Sequence, residues 1–334
     1  MQPNIPTPAA QYGASARRWN WRRALSSTGS TGDAVFRVIL FLCAMLILLI
    51  VVSMVTMMAA NAMPSIRRFG FGFLTGRDWN PVADSFGALP FIYGTIVSSI
   101  IALIIAVPLS LGVAVFLVEQ APRRIARPIA FLVELLAAIP SVVYGLWGIF
   151  VLAPFLRVYV EPPLQKWFGW LPLFQGRITG IGLLTGGVIL AIMVTPIITA
   201  VVRDVLAAVP VSQREAALAL GATKWETTRV VLANAASGIA GAIVLGLGRA
   251  IGETMAVTMV IGNVPQISAS LFEPSYTIAS VLASNFSEAT DELYLSALIQ
   301  IGLILFLVTF MVNGVAKLLV WSVTRGTSGT ARAT

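Results

Sequence analysis

Arg249 and Glu253 are two charged residues inside an apolar run of the sequence, residues 238–262. A charged side chain at the centre of a bilayer costs at least ~2.5 kcal/mol, so both groups must face the protein interior or water. A guanidinium presents paired N–H donors that fit the oxygens of a tetrahedral anion. We therefore expect Arg249 to bind an anion in transit and Glu253 to neutralise it at rest. The alternative is a structural pair, because opposite charges four residues apart also stabilise a helix.

The position of Arg249 within this run favours transport. It lies about 16 Å from residue 238 at 1.5 Å per residue, half of the roughly 30 Å hydrocarbon layer. Small residues recur at four-residue spacing in two rows, and such rows let helices approach closely. The rows are Gly238, Ala242 and Gly246, and Gly248, Gly252 and Ala256. We expect Gly248 and Gly252 to pack against a neighbouring helix beside the charged pair.

Several kinds of catalytic chemistry are missing from the sequence. It contains no histidine and one cysteine, Cys43, which excludes a His/Cys metal site and a Cys–His nucleophile. The phosphate-binding pattern G-x-x-x-x-G-K-[ST] needs a lysine, and none of Lys166, Lys224 and Lys317 follows it. We therefore expect a chain that is not an enzyme and holds no metal or cofactor of its own.

The composition is that of a membrane protein. Of the 334 residues, 57% are hydrophobic and 11% charged, whereas soluble domains are about 25% charged. Six apolar runs reach the roughly 20 residues that a helix needs to cross a bilayer. The runs are residues 34–60, 93–118, 129–153, 178–202, 238–262 and 293–320. Backbone groups in lipid must be satisfied within each segment, which predicts an all-α fold with six transmembrane helices.

The basic residues predict the orientation of these helices. Of 22 lysines and arginines, fourteen fall on the side of the N-terminus, six fall on the other side and two lie within apolar runs. The richer side is cytoplasmic, so both termini are expected there. The net charge of +8 is spread over the ends of the runs, which favours topology over nucleic-acid binding. The predicted segments are a basic cytoplasmic tail at 1–33, a first transmembrane helix at 34–60, an external loop at 61–92, a transmembrane core at 93–321 and a second cytoplasmic tail at 322–334.

Within that core, residues 203–237 form a polar cytoplasmic loop. Ser212 and Glu215 fit a capping box, in which each side chain accepts from the other's backbone N–H. This box predicts a helix at 213–220. Gly221 follows, and glycine is the usual left-handed residue that ends a helix.

A second capping box, Thr223 with Glu226, predicts another helix that runs to about Leu232. A loop of this length is long for a compact bundle, where helix connections usually have about 2–8 residues. We therefore interpret the loop as a docking element for another protein. The alternative is a well-capped connector.

The pattern Glu215-Ala216-Ala217-x-x-x-Gly221 resembles the EAA loop of binding-protein-dependent ABC importer permeases. The resemblance implies a type I ABC importer (MetI-like) fold. It also implies that Glu215, Ala216, Ala217, Gly221 and Lys224 couple the chain to an ATPase. The loops of that family usually continue with Leu-Pro, whereas Leu232 is followed by Ala233. A softer helix break is expected there.

The segment from Gly248 to Val257, with Ile261-Gly262-Asn263, resembles the phosphate-specific branch of these importers, the PstC-type permeases. Similar segments are Ile139-Pro-Ser141, Tyr144-Gly-Leu-Trp-Gly148 and Gly302-Leu-Ile-Leu-Phe306. The resemblance implies phosphate import across the inner membrane of a prokaryote. It places Arg249, Glu253 and Thr254 on the phosphate pathway.

The same resemblance implies a set of partners. They are a homologous PstA-type permease subunit, two PstB-type ATPase subunits that bind ATP and Mg²⁺, and an external PstS-type phosphate-binding protein. Two alternatives stay open. The same kind of importer could carry another oxyanion, such as sulfate or molybdate, or the chain could be an ion-coupled carrier or channel that needs no ATPase.

Overall fold

The protein is almost entirely helical in a computed structural model, which describes residues 31–330. The predicted N-terminal basic tail therefore lies almost wholly outside the described residues, as does the end of the chain. The shorter elements are α2 (Met63–Phe69), α3 (Gly72–Thr75), β1 (Trp79–Asn80), β2 (Ser85–Phe86), α5 (Arg123–Ala138), α8 (Val211–Ala219), α10 (Met255–Val260) and α11 (Ile278–Asn285).

Six further helices are long and apolar enough to cross a membrane, the number predicted. They are α1 (Thr31–Asn61), α4 (Leu89–Gln120), α6 (Ser141–Phe168), α7 (Leu183–Ala207), α9 (Lys224–Gly252) and α12 (Glu292–Thr330). Their mean hydropathies satisfy the requirement that a lipid-facing segment be apolar. The all-α fold with six candidate spans is therefore confirmed.

The first helix, α1, belongs up to Thr56 to a compact unit separate from the rest of the chain. None of its apolar stretch is buried, and large hydrophobic side chains such as Phe36, Phe41 and Leu49 are exposed. A helix that is apolar on every side suits lipid as its solvent.

The second unit begins at Met57 and is built around α7. Of the apolar stretch of α7, 67% lies inside the protein, the highest share among the six spans. α7 packs against α4 and α9. Its residues Ile198, Val202 and Leu206 are fully buried in that core. The helix that carries Arg249, α9, is therefore packed against the centre of the fold.

The third predicted span, 129–153, is wrong in its boundaries. One helix ends at Ala138, and Ile139 is extended. After Pro140 a new helix, α6, begins at Ser141 and runs to Phe168. Proline lacks an N–H and disfavours helical geometry in the residue before it, which explains the break. The preceding helix, α5, is amphipathic and is not part of the span. The sequence is apolar on both sides of Pro140, so the prediction joined the two helices.

On the side of the molecule that carries β1 and β2, the predicted loop 61–92 is folded rather than open. The strands pair antiparallel, with Trp79 opposite Phe86. The Trp79 ring meets Phe91 edge-on at 4.9 Å between centroids, and Phe86 stacks on Tyr294 at 5.6 Å. Aromatic contacts of this kind fix the loop to the starts of α4 and α12.

Candidate functional site

The helix that carries Arg249 ends in the middle of the predicted fifth span. α9 stops at Gly252, Glu253 is extended, and α10 begins at Met255. The prediction of one continuous helix across 238–262 is therefore wrong. Non-helical backbone at membrane depth is tolerated only where protein or a water-filled cavity surrounds it. Breaks of this kind form the binding sites of many transporters.

Arg249 lies one turn before this break, Glu253 lies in it, and the two side chains contact each other. The distance from Arg249 Nη2 to Glu253 Oε2 is 3.6 Å, an ion pair that is too long for a hydrogen bond. The Arg249 side chain is 46% exposed and the Glu253 side chain 6%. The carboxylate is therefore held inside the protein while the guanidinium remains accessible to another anion.

The helix ends favour both charges. Arg249 lies in the last turn of α9, where the partial negative charge of the helix terminus attracts a cation. Glu253 lies just before α10, and its Oε1 accepts a 3.5 Å contact from the Ala256 N–H. Thr254, between the two helices, donates through its hydroxyl to Gly252 O at 3.3 Å. All three predicted pathway residues thus lie at one backbone interruption.

A cavity of about 560 Å³ adjoins Arg249, between α7, α9 and α12. Its apolar lining comes from Ile197, Val244 and Leu245. The polar lining includes Asn313 and Lys317 of α12, which the sequence analysis missed. An asparagine and a lysine four residues apart at the end of an apolar run were the available signal.

The two rows of small residues behave differently. A Cβ on Gly238 would lie 2.4 Å from Val205 Cγ1, and one on Gly246 would lie 2.6 Å from Ile198 Cδ1. This row therefore lets α9 approach α7 closely. Gly248 has only Asn313 Nδ2 nearby, at 3.9 Å, and Gly252 has nothing within 4 Å. Within residues 31–330 the row of Gly248 and Gly252 is open, and its predicted contact with a neighbouring helix stays a prediction.

At the other end of α9, the helix α8 differs from its prediction at its start. α8 begins at Val211 after Pro210, and no side chain caps it. The predicted capping box of Ser212 and Glu215 is therefore wrong. Pro210 presets the extended geometry that precedes a helix, so Ser212 already lies within the first turn. Glu215, Ala216 and Lys224 are exposed and Ala217 is half-buried.

The end of α8 and the start of α9 agree with the sequence. Gly221 has φ +83°, the left-handed geometry predicted for it. Thr223 accepts from the Glu226 N–H at 3.3 Å, and Glu226 accepts from the Thr223 N–H at 2.7 Å, which confirms the second capping box. The surface around this turn is apolar and exposed: Leu220 is 89% exposed and Trp225 63%.

The softer break expected near Leu232 is absent. α9 runs without interruption through Ala233 for 29 residues, about 43 Å at 1.5 Å per residue. Alanine keeps its N–H and has the highest helix propensity, so nothing ends the helix there. One continuous helix therefore joins the Gly221 turn to Arg249.

Two ion pairs fix the surroundings of α8. Arg214 contacts Glu119 Oε1 through Nη2 at 2.9 Å and also donates to the carbonyls of Val209 and Leu206. The sequence analysis missed this pair because its members are 95 residues apart. Glu134 of α5 pairs with Arg203 of α7 at 2.9 Å.

Comparison with known proteins places this geometry in a family. The model described as "Binding-protein-dependent transport system inner membrane component" matches residues 106–325. The phosphate transport system permease protein PstC of Mesorhizobium japonicum is 47% identical over 322 residues, which cover 95% of each chain. The protein of that name from Pasteurella multocida is 47% identical over 293 residues, 86% of this chain and 91% of the relative.

A solved structure of the MetNI methionine ABC transporter in an inward-facing conformation is similar in fold. Its TM-score is 0.51 at 20% identity, and the match covers 71% of this chain and 94% of that one. A likeness at this identity shows the fold alone. It confirms the predicted fold class.

Proposed function

The chain belongs to the family of binding-protein-dependent transport system inner membrane components, and from that membership we propose that it carries inorganic phosphate into the cytoplasm as the permease subunit of an ATP-driven importer. The observation that supports this most is the half-exposed Arg249, paired with the buried Glu253 at a helix break beside a cavity. Phosphate is the cargo named for relatives that are 47% identical.

The transport step is an exchange of anionic partners. At 3.6 Å Glu253 neutralises Arg249 without occupying its N–H donors in a hydrogen bond. A phosphate that reaches the guanidinium takes those donors in a paired arrangement, which is stronger than the loose ion pair. When phosphate leaves, the carboxylate restores neutrality, so no bare charge is left at this depth.

The cytoplasmic end of the chain receives the energy of ATP. α8 with the Gly221 turn is the coupling segment, and its exposed Leu220 and Trp225 offer an apolar docking surface. Two ATPase subunits bind ATP and Mg²⁺, and one of them contacts this segment, in particular Glu215, Ala216, Ala217 and Lys224. Because α9 is continuous, a displacement of the segment moves Arg249 as well.

Both termini of the chain are cytoplasmic in this proposal, and the loops between α6 and α7 and between α9 and α12 are external. Trp167 in the last turn of α6 and Trp170 at the start of the first of these loops are both exposed. They suit an external phosphate-binding protein that delivers its ligand, since aromatic side chains anchor many interfaces. A homologous permease subunit completes the pathway against the open row at Gly248 and Gly252.

The test is reconstitution of the complete complex in proteoliposomes, with the cytoplasmic face toward the lumen and ATP in the lumen. We expect uptake of labelled phosphate that needs ATP and the external binding protein and that excess sulfate does not reduce. Inhibition of uptake by sulfate or molybdate would show that the importer carries another oxyanion as its cargo. Uptake by this chain alone, without an ATPase, would overturn the importer proposal in favour of a carrier or channel.

A further inference from the structure

The cavity beside Arg249 has a second polar wall, formed by Asn313 and Lys317 of α12. Neither residue has a role in the exchange at Arg249 described above. Polar and charged side chains inside a membrane span are expensive, and they mark pathways more often than they decorate a bundle. Both residues belong to the same compact unit as α9.

Asn313 has an unused acceptor. Its Oδ1 is buried and has no hydrogen-bond partner among the residues that the structure describes. A buried acceptor without a partner is destabilising, and a ligand that donates to it recovers that cost. Its Nδ2 faces Gly248, where the absence of a side chain leaves space beside the amide.

The chemistry of this amide suits phosphate. A carboxamide presents one acceptor and two donors side by side. Inorganic phosphate keeps at least one hydroxyl at neutral pH, so it donates to Oδ1 through that hydroxyl and accepts from Nδ2 through another oxygen. An anion in the cavity would therefore give Asn313 Oδ1 the partner that it lacks and would accept from Nδ2.

Lys317 follows Asn313 by four residues, so it lies on the same face of α12, about 6 Å further along the helix. Successive spans cross the membrane in opposite directions. The end of α12 that holds Lys317 therefore lies toward the side on which α9 begins, the proposed cytoplasmic side. Lys317 is exposed and supplies a cation in that direction.

We infer that Asn313 and Lys317 extend the phosphate pathway from Arg249 toward the cytoplasm, in that order, an inference that rests on the phosphate permease function proposed above. An anion held at a single strong site would not leave it. Successive weaker sites let it move on, as multi-site conduction does in channels.

The test changes the charge on α12 in the full complex. Asn313→Asp keeps the shape of the side chain and adds a negative charge that repels an anion, so we expect at least a ~10-fold lower maximal rate of phosphate uptake. Lys317→Gln should lower the rate about threefold or more, and Lys317→Arg should restore it, since only the charge is needed. Lys166→Gln, the same change at an exposed lysine outside the cavity, is the matched control.

Charge added after assembly excludes a folding defect. Asn313→Cys in a Cys43→Ser background is modified in the assembled complex with a negatively charged or a positively charged methanethiosulfonate reagent. Inhibition by the negative reagent alone supports the inference, and equal effects of both reagents overturn it. One result would overturn this inference and leave the proposed function intact. In it, the wild type takes up phosphate, Arg249→Gln does not, and Asn313→Asp and Lys317→Gln transport normally. No ATP-driven uptake by the wild type would instead remove the proposed function.

Discussion

Arg214 on α8 holds Glu119 at the end of α4, with 2.9 Å between Nη2 and Oε1. The same guanidinium donates to Val209 O at 2.6 Å and Leu206 O at 2.9 Å. Both side chains are mostly buried. One residue thus fixes α8, the proposed coupling segment, to the ends of two spans, α4 and α7.

Loss of this anchor should uncouple the complex. Arg214→Gln leaves the Glu119 carboxylate without its partner, and we expect a loss of about 1–3 kcal/mol of stability, together with ATP hydrolysis that no longer drives proportional uptake. The ratio of phosphate transported to ATP hydrolysed measures this. Arg124→Gln, at an exposed arginine, is the control. In a double-mutant cycle with Glu119→Gln the effects should not add, and additive effects would contradict a shared anchor.

Arg249→Gln should nearly abolish phosphate uptake while the complex still assembles. Glutamine retains a donor but not the charge that replaces the hydration of an anion at this depth. Arg249→Lys keeps the charge and loses the paired donors, so an intermediate rate is expected. Uptake into proteoliposomes, beside the yield of purified complex, is the measurement. Normal uptake by Arg249→Gln would remove this residue from the pathway.

Glu253→Gln distinguishes transport from structure. The change removes the charge that neutralises Arg249 at rest, so phosphate should bind more tightly and leave more slowly, and the maximal rate of uptake should fall. Thermal unfolding of the same variant is recorded in parallel. A lower melting temperature with an unchanged rate of uptake would mean that the pair is structural, which was the alternative from sequence.

Two substitutions at Gly221 distinguish backbone strain at this turn from a steric clash with the ATPase. Asparagine tolerates its left-handed φ of +83°, whereas other side chains pay roughly 1–2 kcal/mol there. A Cβ at this position meets nothing within 4 Å in the chain itself. Gly221→Asn should therefore keep ATP-driven uptake, and Gly221→Trp should detach or uncouple the ATPase by filling the docking surface. Pull-down of the ATPase with each variant checks this, and full retention by Gly221→Trp would place docking elsewhere.

Substitution by alanine should have opposite effects on stability at two glycines of α9. Gly246→Ala places a Cβ 2.6 Å from Ile198, and overpacking of this kind costs about 1–3 kcal/mol. Gly241→Ala meets nothing within 4 Å, so the higher helix propensity of alanine should stabilise the helix by up to about 1 kcal/mol. Melting temperatures of the purified complexes give the comparison. Equal shifts would show that α9 and α7 are not in close contact at Gly246.

The number of spans, the Gly221 turn and the charged pair were predictable because each depends on local sequence. A run of apolar residues, a glycine after a helix and two residues four apart carry their own signals. The cap at Thr223 is local for the same reason, since its partners are three residues apart.

The remaining features depend on residues that are distant in sequence or on how the chain is enclosed. The end of α9 at Gly252 has no proline to mark it, and the extended Glu253 that follows is buried. The contact of Arg214 with Glu119 joins residues 95 apart. The position of Asn313 in the cavity could not be predicted, because it depends on α12 packing beside Gly248 of α9. The break at Pro140 was visible in sequence but was outweighed by the apolar run around it.

The uninterrupted helix from Lys224 to Gly252 has a consequence for how the gene tolerates change in length. One residue inserted between Lys224 and Arg249 would turn the arginine by about 100° around the helix axis and shift it by about 1.5 Å. Three or four inserted residues would nearly restore its direction but displace it by about 5 Å. Insertions and deletions should therefore be tolerated in the loop after Phe168 and excluded from this helix, where the number of residues sets the direction and depth of Arg249.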